Sequence, residues 1–144
     1  MQRKLRAVLD TNLFVSGLFA KDSLSAKLQD HWINQYFELA TSIEILKELS
    51  RVLNYPRIRE HFKPKDETIR RFFRLIFRKA IITKDSYRVE RITDDPADNK
   101  FLACAMEAKA HYIVTRDPHL QNLKHYHGIH IVNATTFLRK LKAK

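Results

Sequence analysis

The sequence predicts one α/β domain, in which helices cover both faces of a mainly parallel sheet of about five strands in three layers. Short apolar runs that are typical of buried strands alternate with segments of helical periodicity along the chain. The chain has 144 residues, which suits a single domain over residues 1–144 with a sizeable core. Two glycines and four prolines are few, and this favours helices and short connections over a loop-rich β-sandwich.

The first half of the chain begins with a strand and then alternates helices and strands. Apolar runs predict strands over residues 4–10, 37–40 and 80–82, the last at an edge of the sheet. Apolar residues at helical spacing predict helices over residues 12–19, 23–34, 41–53 and 67–79. Pro56 is expected to break the third of these helices, and a basic segment separates it from the fourth.

Local signals mark several helix starts. Thr41 and Glu44 have the spacing of a capping box, and Asp66 can cap the helix that follows it. Pro96 suits the first helical position after an Asp95 cap. The apolar positions of helix 67–79 are predicted to face the core, and they are Ile69, Phe72, Phe73, Ile76 and Phe77.

The second half of the chain continues the alternation. The predicted elements are a helix over 96–110, a strand over 111–115, a helix that begins at Pro118, a strand over 129–132 and a helix over 134–142. Connections between parallel strands are right-handed, so the carboxyl ends of the strands meet at one edge of the sheet. In such sheets ligands bind in the crevice outside that edge.

The charge of the chain favours a polyanionic partner. With 27 basic and 16 acidic residues, the net charge is +11, and nucleic acid is the simplest partner for it. Arg70, Arg74 and Arg78 form one stripe of a helix, which fits phosphate binding or an ordinary solvated face. The single cysteine, Cys104, fits a reducing cytoplasm and a place in the core. No apolar stretch approaches the ~20 residues that span a membrane.

Four carboxylates are predicted to meet at the carboxyl edge of the sheet. Asp10 and Asp117 each follow an apolar strand, Asp98 lies at a helix start, and Glu48 lies further along a helix that begins at the same edge. Taken singly, Asp10 and Asp117 could serve only as helix N-caps, the helix dipole could account for Asp98, and Glu48 could pair with Arg51 or Lys47. Taken together, their oxygen ligands suit a hard cation, Mg²⁺ or Mn²⁺.

Four motifs in order resemble those of the PIN-domain nucleases, and within them the VapC-like toxins of toxin–antitoxin pairs. The motifs are LDTN at 9–12, ILKEL at 45–49, DPADNKFL at 95–102 and IVTRD at 113–117, and the resemblance covers nearly the whole chain. It implies a Rossmann-like sheet and a Mg²⁺- or Mn²⁺-dependent endoribonuclease with Asp10, Glu48, Asp98 and Asp117 as its acidic quartet. Asn12 and Thr115 match supporting positions, whereas Asp94 and Asp95 have no settled role.

The resemblance also implies partners. Toxins of this family act on RNA, are usually neutralised by a small antitoxin protein that covers the active groove, and in many cases form homodimers. Arg116, inside the last motif, is a further candidate for contact with nucleic acid.

Other interpretations fit less well. An aspartyl-phosphate enzyme typically needs a second aspartate at position 12, where Asn12 stands, and a dinucleotide-binding domain needs a glycine-rich turn, which residues 10–16 lack. The spacing of His119, His125, His127 and His130 matches no zinc-finger pattern. The remaining alternative is a non-catalytic RNA-binding or antitoxin-binding module on the same fold.

Overall fold

A mostly parallel sheet organises the fold. The computed structural model describes residues 4–89 and 96–142, and within them six strands form one sheet. The strands are β1 (Arg6–Leu9), β2 (Glu38–Ser42), β3 (Ile81–Thr83), β4 (Tyr112–Val114), β5 (His125–Tyr126) and β6 (Ile129–Val132). Their order is β3-β2-β1-β4-β6-β5, and β5 alone among these pairs is antiparallel to its neighbour. The α/β class and the edge position of β3 are therefore confirmed.

The parallel register places the ends of the central strands side by side. Val8 pairs with Ala40 on one side and with Ile113 on the other. The backbone N–H of Asp10 donates to the Val114 carbonyl at 3.0 Å, and that of Thr115 donates to the Val132 carbonyl at 3.0 Å. Asp10 and Thr115 thus leave neighbouring strands at the same edge, because β1 and β4 run parallel.

Helices pack on both faces of this sheet. Within the described residues they are α1 (Thr11–Phe19), α2 (Leu24–Ile33), α3 (Ile43–Leu53), α4 (Pro56–Phe62), α5 (Asp66–Lys79), α6 (Asn99–Ala108), α7 (Pro118–Gln121) and α8 (Ala134–Lys142). Alternate strand residues enter two apolar clusters: Ala7 and Leu9 lie in one, and Val8 lies in the other. This alternation shows that each face of the sheet has its own core.

Three local predictions are wrong. Ser42, not Thr41, caps α3, because its hydroxyl accepts the Ile45 N–H at 3.1 Å. Asp66 is the first residue of α5 rather than its cap. Phe77 is 57% exposed on α5 and does not face the core, whereas Phe72 and Ile76 of the same helix are buried.

Two elements were not predicted. Helix α4 occupies the basic segment, because Pro56 lies in its first turn, where a missing N–H costs no helical hydrogen bond. Phe62 of α4 stacks on Phe19 of α1 with ring centroids 4.6 Å apart. Strand β5 has only two residues and folds back on β6 through His127 and Gly128, both at positive φ.

The interior also explains individual residues. Trp32 and Cys104 are buried, which confirms their predicted core positions, and burial raises the pKa of the Cys104 thiol to about 12. Gly17 lies where α1 approaches α2, and a Cβ there would be 2.1 Å from Gln29 Nε2. Gln29 Nε2 donates to the Phe14 carbonyl at 3.1 Å, so glycine is needed for this close contact.

The segment around the second acidic motif begins with a single tight turn. Pro96–Asp98 form a 3-10 turn that leads into α6, so Pro96 does stand at a helical start. Asp94 and Asp95 lie outside the described residues.

None of the helices in the described part of the chain combines the length and apolar character that a membrane crossing requires.

Candidate functional site

Asp10 is the most buried carboxylate of the candidate site. It is 5% exposed and caps α1, with Oδ1 accepting the backbone N–H of Asn12 at 3.1 Å. Its Oδ2 accepts the hydroxyl of Thr115 at 2.6 Å. The pKa of Asp10 is raised above its usual value. Burial is the largest cause, the hydrogen bonds from Thr115 and Asn12 act in the opposite direction, and repulsion from Asp117 and Glu48 raises the pKa further.

Thr115 connects the ends of two neighbouring strands. It is fully buried after β4, and while its hydroxyl donates to Asp10, the same oxygen accepts the backbone N–H of Asp117 at 2.9 Å. Gln121 supports it from α7, with Nε2 donating to the Thr115 carbonyl at 2.8 Å. The structure therefore gives Thr115 contacts that fit its predicted supporting position.

Asp117 and Asp98 contact each other through their carboxyl groups. Asp117 caps α7, where Oδ1 accepts the His119 N–H at 2.8 Å. A hydrogen bond with Asp98 is the largest cause that lowers the pKa of Asp117, and the N–H of His119 adds to it against the opposing effect of burial. A hydrogen bond between two carboxyl groups needs a shared proton, and a bound cation can compensate the same negative charges.

Glu48 approaches the site from α3. Its charge acts on Asp10, but its Oε2 also pairs with the ammonium of Lys100 at 2.5 Å. The local alternatives that the sequence offered, Arg51 and Lys47, are not the partners in this ion pair. Glu48 therefore lies near enough to Asp10 for its charge to act there, and it has a partner that sequence reasoning did not identify.

Lys100 and Gln121 are the site residues that sequence reasoning missed. Lys100 is 7% exposed in the first turn of α6, two residues after Asp98. A lysine in that turn opposes the helix dipole, and the residues one turn further along the same face, Ala103 and Cys104, are buried and apolar. Those two features were the available signal, but its partner could come only from the packing of α6 against α3.

The predicted nucleic-acid residues and Asn12 lie on the surface. Arg70 and Arg74 are exposed on α5 and bind Glu67, at 3.0 and 3.1 Å. Arg78 is exposed on the same helix, and Arg116 is exposed next to Asp117. The side chain of Asn12 is exposed, so its described contribution to the site is the backbone N–H bound to Asp10.

The donor atoms at this edge suit a hard cation, although they are engaged with other groups. In the part of the chain that the structure describes, no three acidic, histidine or cysteine side chains are arranged as a set of metal ligands. Glu48 is directed to Lys100 and Asp10 to Thr115. The donors are nevertheless carboxylate and hydroxyl oxygens, which Mg²⁺ and Mn²⁺ prefer, and Asp98 and Asp117 already approach closely enough to share a hydrogen bond.

The mostly parallel sheet with buried carboxylates beyond its strand ends places this protein among the α/β proteins that have a polar site at the carboxyl edge of the sheet. Comparison with known sequences identifies its family. Residues 6–119 match the sequence model of the PIN domain, so the chain belongs to the PIN domain family. Members of this family are typically nucleases. The chain is 30% identical over 122 residues to the uncharacterized protein MJ1680 of Methanocaldococcus jannaschii. The aligned region covers 84% of this chain and 76% of that protein.

Solved structures support the same fold. PAE2754 from Pyrobaculum aerophilum superposes with a TM-score of 0.63 at 17% identity, covering 98% of this chain and 91% of that one. VapBC2 from Rickettsia felis, bound to a DNA fragment from its promoter, gives a TM-score of 0.60 at 15% identity, covering 90% of this chain and 98% of that one. The predicted membership of the PIN domain family is thus confirmed, and these structures share its fold.

Proposed function

We propose that this protein is a divalent-metal-dependent endoribonuclease that hydrolyses phosphodiester bonds of RNA. The observation that carries the proposal is the convergence of Asp10, Asp117 and Asp98, from three separate segments, with Glu48 at the same edge. Buried carboxylates without a cation destabilise the fold around them, so a protein that gathers several of them needs a functional reason. Membership of the PIN domain family, whose members are typically nucleases, independently supports a catalytic role for these carboxylates.

The proposed ligands of Mg²⁺ or Mn²⁺ are Asp10, Asp98 and Asp117, with Glu48 as a direct ligand or as the group that orients water. When bound, the cation neutralises charge on the scissile phosphate and lowers the pKa of a bound water. Thr115 and the Asn12 N–H fix the two oxygens of Asp10. The N–H of His119 fixes Asp117, so these ligands are oriented before a cation arrives.

The basic surface is proposed to attract the substrate. The net charge of +11 favours a polyanion, and the exposed Arg116 lies beside Asp117. Arg70 and Arg74 contribute less to this surface because Glu67 neutralises part of their charge. We assign Arg116 the most direct contact with RNA phosphate, and Arg70, Arg74 and Arg78 a peripheral one.

A small antitoxin is the proposed protein partner. One of the structural neighbours is VapBC2, and the sequence motifs of this chain resemble those of VapC-like toxins. We propose that this chain is the toxin of such a pair, that it acts in the cytoplasm and that it forms homodimers. Co-purification with the product of an adjacent short gene tests the pairing, and sedimentation of the purified protein tests the dimer.

The catalytic proposal is tested by cleavage of labelled single-stranded and hairpin RNA with Mn²⁺ or with excess EDTA. We expect cleavage that depends on the metal and is abolished in Asp10→Asn, because asparagine keeps the N-cap but removes the charge. Asp30→Asn, on the exposed surface of α2, is the matched control and should cut at the wild-type rate. Cleavage by Asp10→Asn at the control's rate would refute the assignment.

A non-catalytic binding module is the second candidate, and two observations favour it. Glu48 is already paired with Lys100, and no three side chains within the described residues form a ready ligand set. A thermal melt separates the two candidates, because a cation that binds only the folded state raises the melting temperature. An unchanged melting temperature in millimolar Mn²⁺, together with intact RNA binding, would favour the binding module.

A further inference from the structure

Lys100 forms the most deeply buried ion pair among the described residues. Its side chain is 5% exposed and that of Glu48 is 22% exposed, with Nζ and Oε2 at 2.5 Å. The same ammonium donates to the Ala97 carbonyl and lies 4.9 Å from the centroid of the Phe101 ring. Three groups thus surround this single positive charge.

The position of Lys100 is unfavourable for the local stability of the helix. A cation in the first turn of α6 opposes the positive end of the helix dipole, and a buried ammonium loses most of its hydration. A methionine or leucine at this position would pack against Phe101 without either cost. The charge of Lys100 therefore needs an explanation other than the stability of α6.

The acidic edge of the sheet supplies that explanation. Glu48, the partner of Lys100, is near enough to Asp10 for its charge to act on that buried carboxylate. Asp98, two residues before Lys100, contacts Asp117. Lys100 therefore contacts one carboxylate of the acidic edge directly and follows a second one by two residues, so its positive charge offsets part of the negative charge gathered there.

We propose that Lys100 is the internal counter-cation of the acidic site, which holds Glu48 in a defined position and limits the affinity of the site for a divalent cation. This proposal rests on the proposed function, since it assumes that the carboxylates bind Mn²⁺ or Mg²⁺. Lys100 is a positioning residue that acts through Glu48 and through its charge. A purely structural lysine would support the packing of α6 on α3 without changing metal affinity.

Calorimetric titration of the RNA-free protein with Mn²⁺ tests the affinity. Lys100→Met and Lys100→Gln should bind Mn²⁺ about tenfold more tightly than wild type, because a positive charge has been removed from within a few ångströms of the site. Lys100→Arg keeps the charge and should bind within about threefold of wild type. The matched control is Lys47→Met, which removes an exposed lysine next to Glu48 and should also leave the affinity near that of wild type.

Equal affinities for Lys100→Gln and Lys47→Met would overturn the proposal, and so would weaker binding by Lys100→Gln. Lys100→Gln keeps a hydrogen-bond donor for Glu48, so it remains informative if Lys100→Met fails to fold. Absence of Mn²⁺ binding in wild type would instead refute the proposed metal function. The ion pair of Lys100 with Glu48 is tested separately in EDTA by a double-mutant cycle with Glu48→Gln and Lys100→Gln. The losses of melting temperature in the two single variants should not add up in the double variant, and additive losses would refute the ion pair.

Discussion

The carboxyl edge of the sheet and the outer face of α5 both contain clusters of charged residues, but the two clusters differ in burial. At the edge, Asp10 is 5% exposed and shares Thr115 with Asp117. On α5, Glu67 binds three arginines, Arg70, Arg71 and Arg74, in ion pairs open to solvent. Charges at helical spacing can satisfy one another locally, whereas the carboxylates at the edge come from separate segments and meet only in the folded chain.

The two clusters of charge differ in their effect on stability. Water and salt screen the exposed pairs of α5, so each contributes little to stability. The carboxylates at the edge lose hydration and repel one another, and the pKa of Asp10 is raised mainly by burial. A substitution at the edge should therefore affect activity strongly, and one on α5 should affect neither activity nor stability much.

Asp117→Asn, at the buried edge, should produce the largest effect. Asparagine caps a helix as well as aspartate does, so α7 and the contact with the His119 N–H should persist. The loss of charge should reduce metal-dependent RNA cleavage by about 100-fold or more. Steady-state cleavage of a labelled RNA measures the rate, and circular dichroism checks the fold.

This variant separates the capping role of Asp117 from its proposed role as a ligand. Asp22→Asn changes an exposed aspartate in the turn before α2 and serves as a control for the loss of one negative charge. If Asp117→Asn cleaves RNA as fast as this control, the carboxylate is only a cap.

Thr115→Val should have the next largest effect. Valine keeps the shape of threonine but removes the hydroxyl that binds Asp10 and the Asp117 N–H. We expect about tenfold slower cleavage from the misplaced ligands and a loss of about 1–3 kcal/mol in the free energy of unfolding. Thr135→Val, at an exposed position of α8, is the control for urea denaturation, and an equal stability of the two variants would contradict the linking role of Thr115.

A smaller, pH-dependent effect follows from Asp10. Because the folded pKa lies above the usual 3.8, the folded state binds more protons there, and ionisation of Asp10 lowers stability as pH rises above that value. Asp10→Asn lacks this loss, so its melting temperature relative to wild type should increase between about pH 4 and pH 7 in EDTA. A difference that stays constant or decreases over this range would contradict the burial of an ionisable Asp10.

Glu67→Gln on α5 should have the smallest effect. A hydrogen bond from Arg70 is the main cause that lowers the pKa of Glu67, but the carboxylate lies at the surface, where salt screens its charge. We expect a shift of melting temperature smaller than that of Thr115→Val, and no shift in high salt. A larger shift that persists in high salt would show that exposure does not distinguish the two clusters.

Sequence reasoning predicted the alternating elements from apolar periodicity, and it predicted the convergence of the strand ends because helices that connect the strands make them parallel. It failed where a local signal had two structural meanings. The predicted break at Pro56 is confirmed, since α3 ends at Leu53, but the same proline also begins α4, because proline is tolerated in the first turn of a helix. Thr41 and Ser42 are both capping residues, and only the end of β2 decides between them.

The candidate site shows a similar limit. The carboxylates and Thr115 could be predicted because each follows a strand or begins a helix at a known edge of the sheet. The ion pair of Glu48 with Lys100 could not be predicted, because it depends on how α3 and α6 face each other across 52 positions of sequence. The exposure of the Phe77 side chain could not be predicted either, because its position in an apolar stripe of the helix indicates a buried residue.

The most direct test of the proposed metal site is anomalous diffraction from crystals of the wild-type protein soaked in Mn²⁺. We expect one or two anomalous peaks bound by carboxylate oxygens of Asp10, Asp98 and Asp117, with Lys100 still near Glu48. Manganese bound only elsewhere, in crystals whose acidic edge is open to solvent, would contradict the claim that these carboxylates form a metal site.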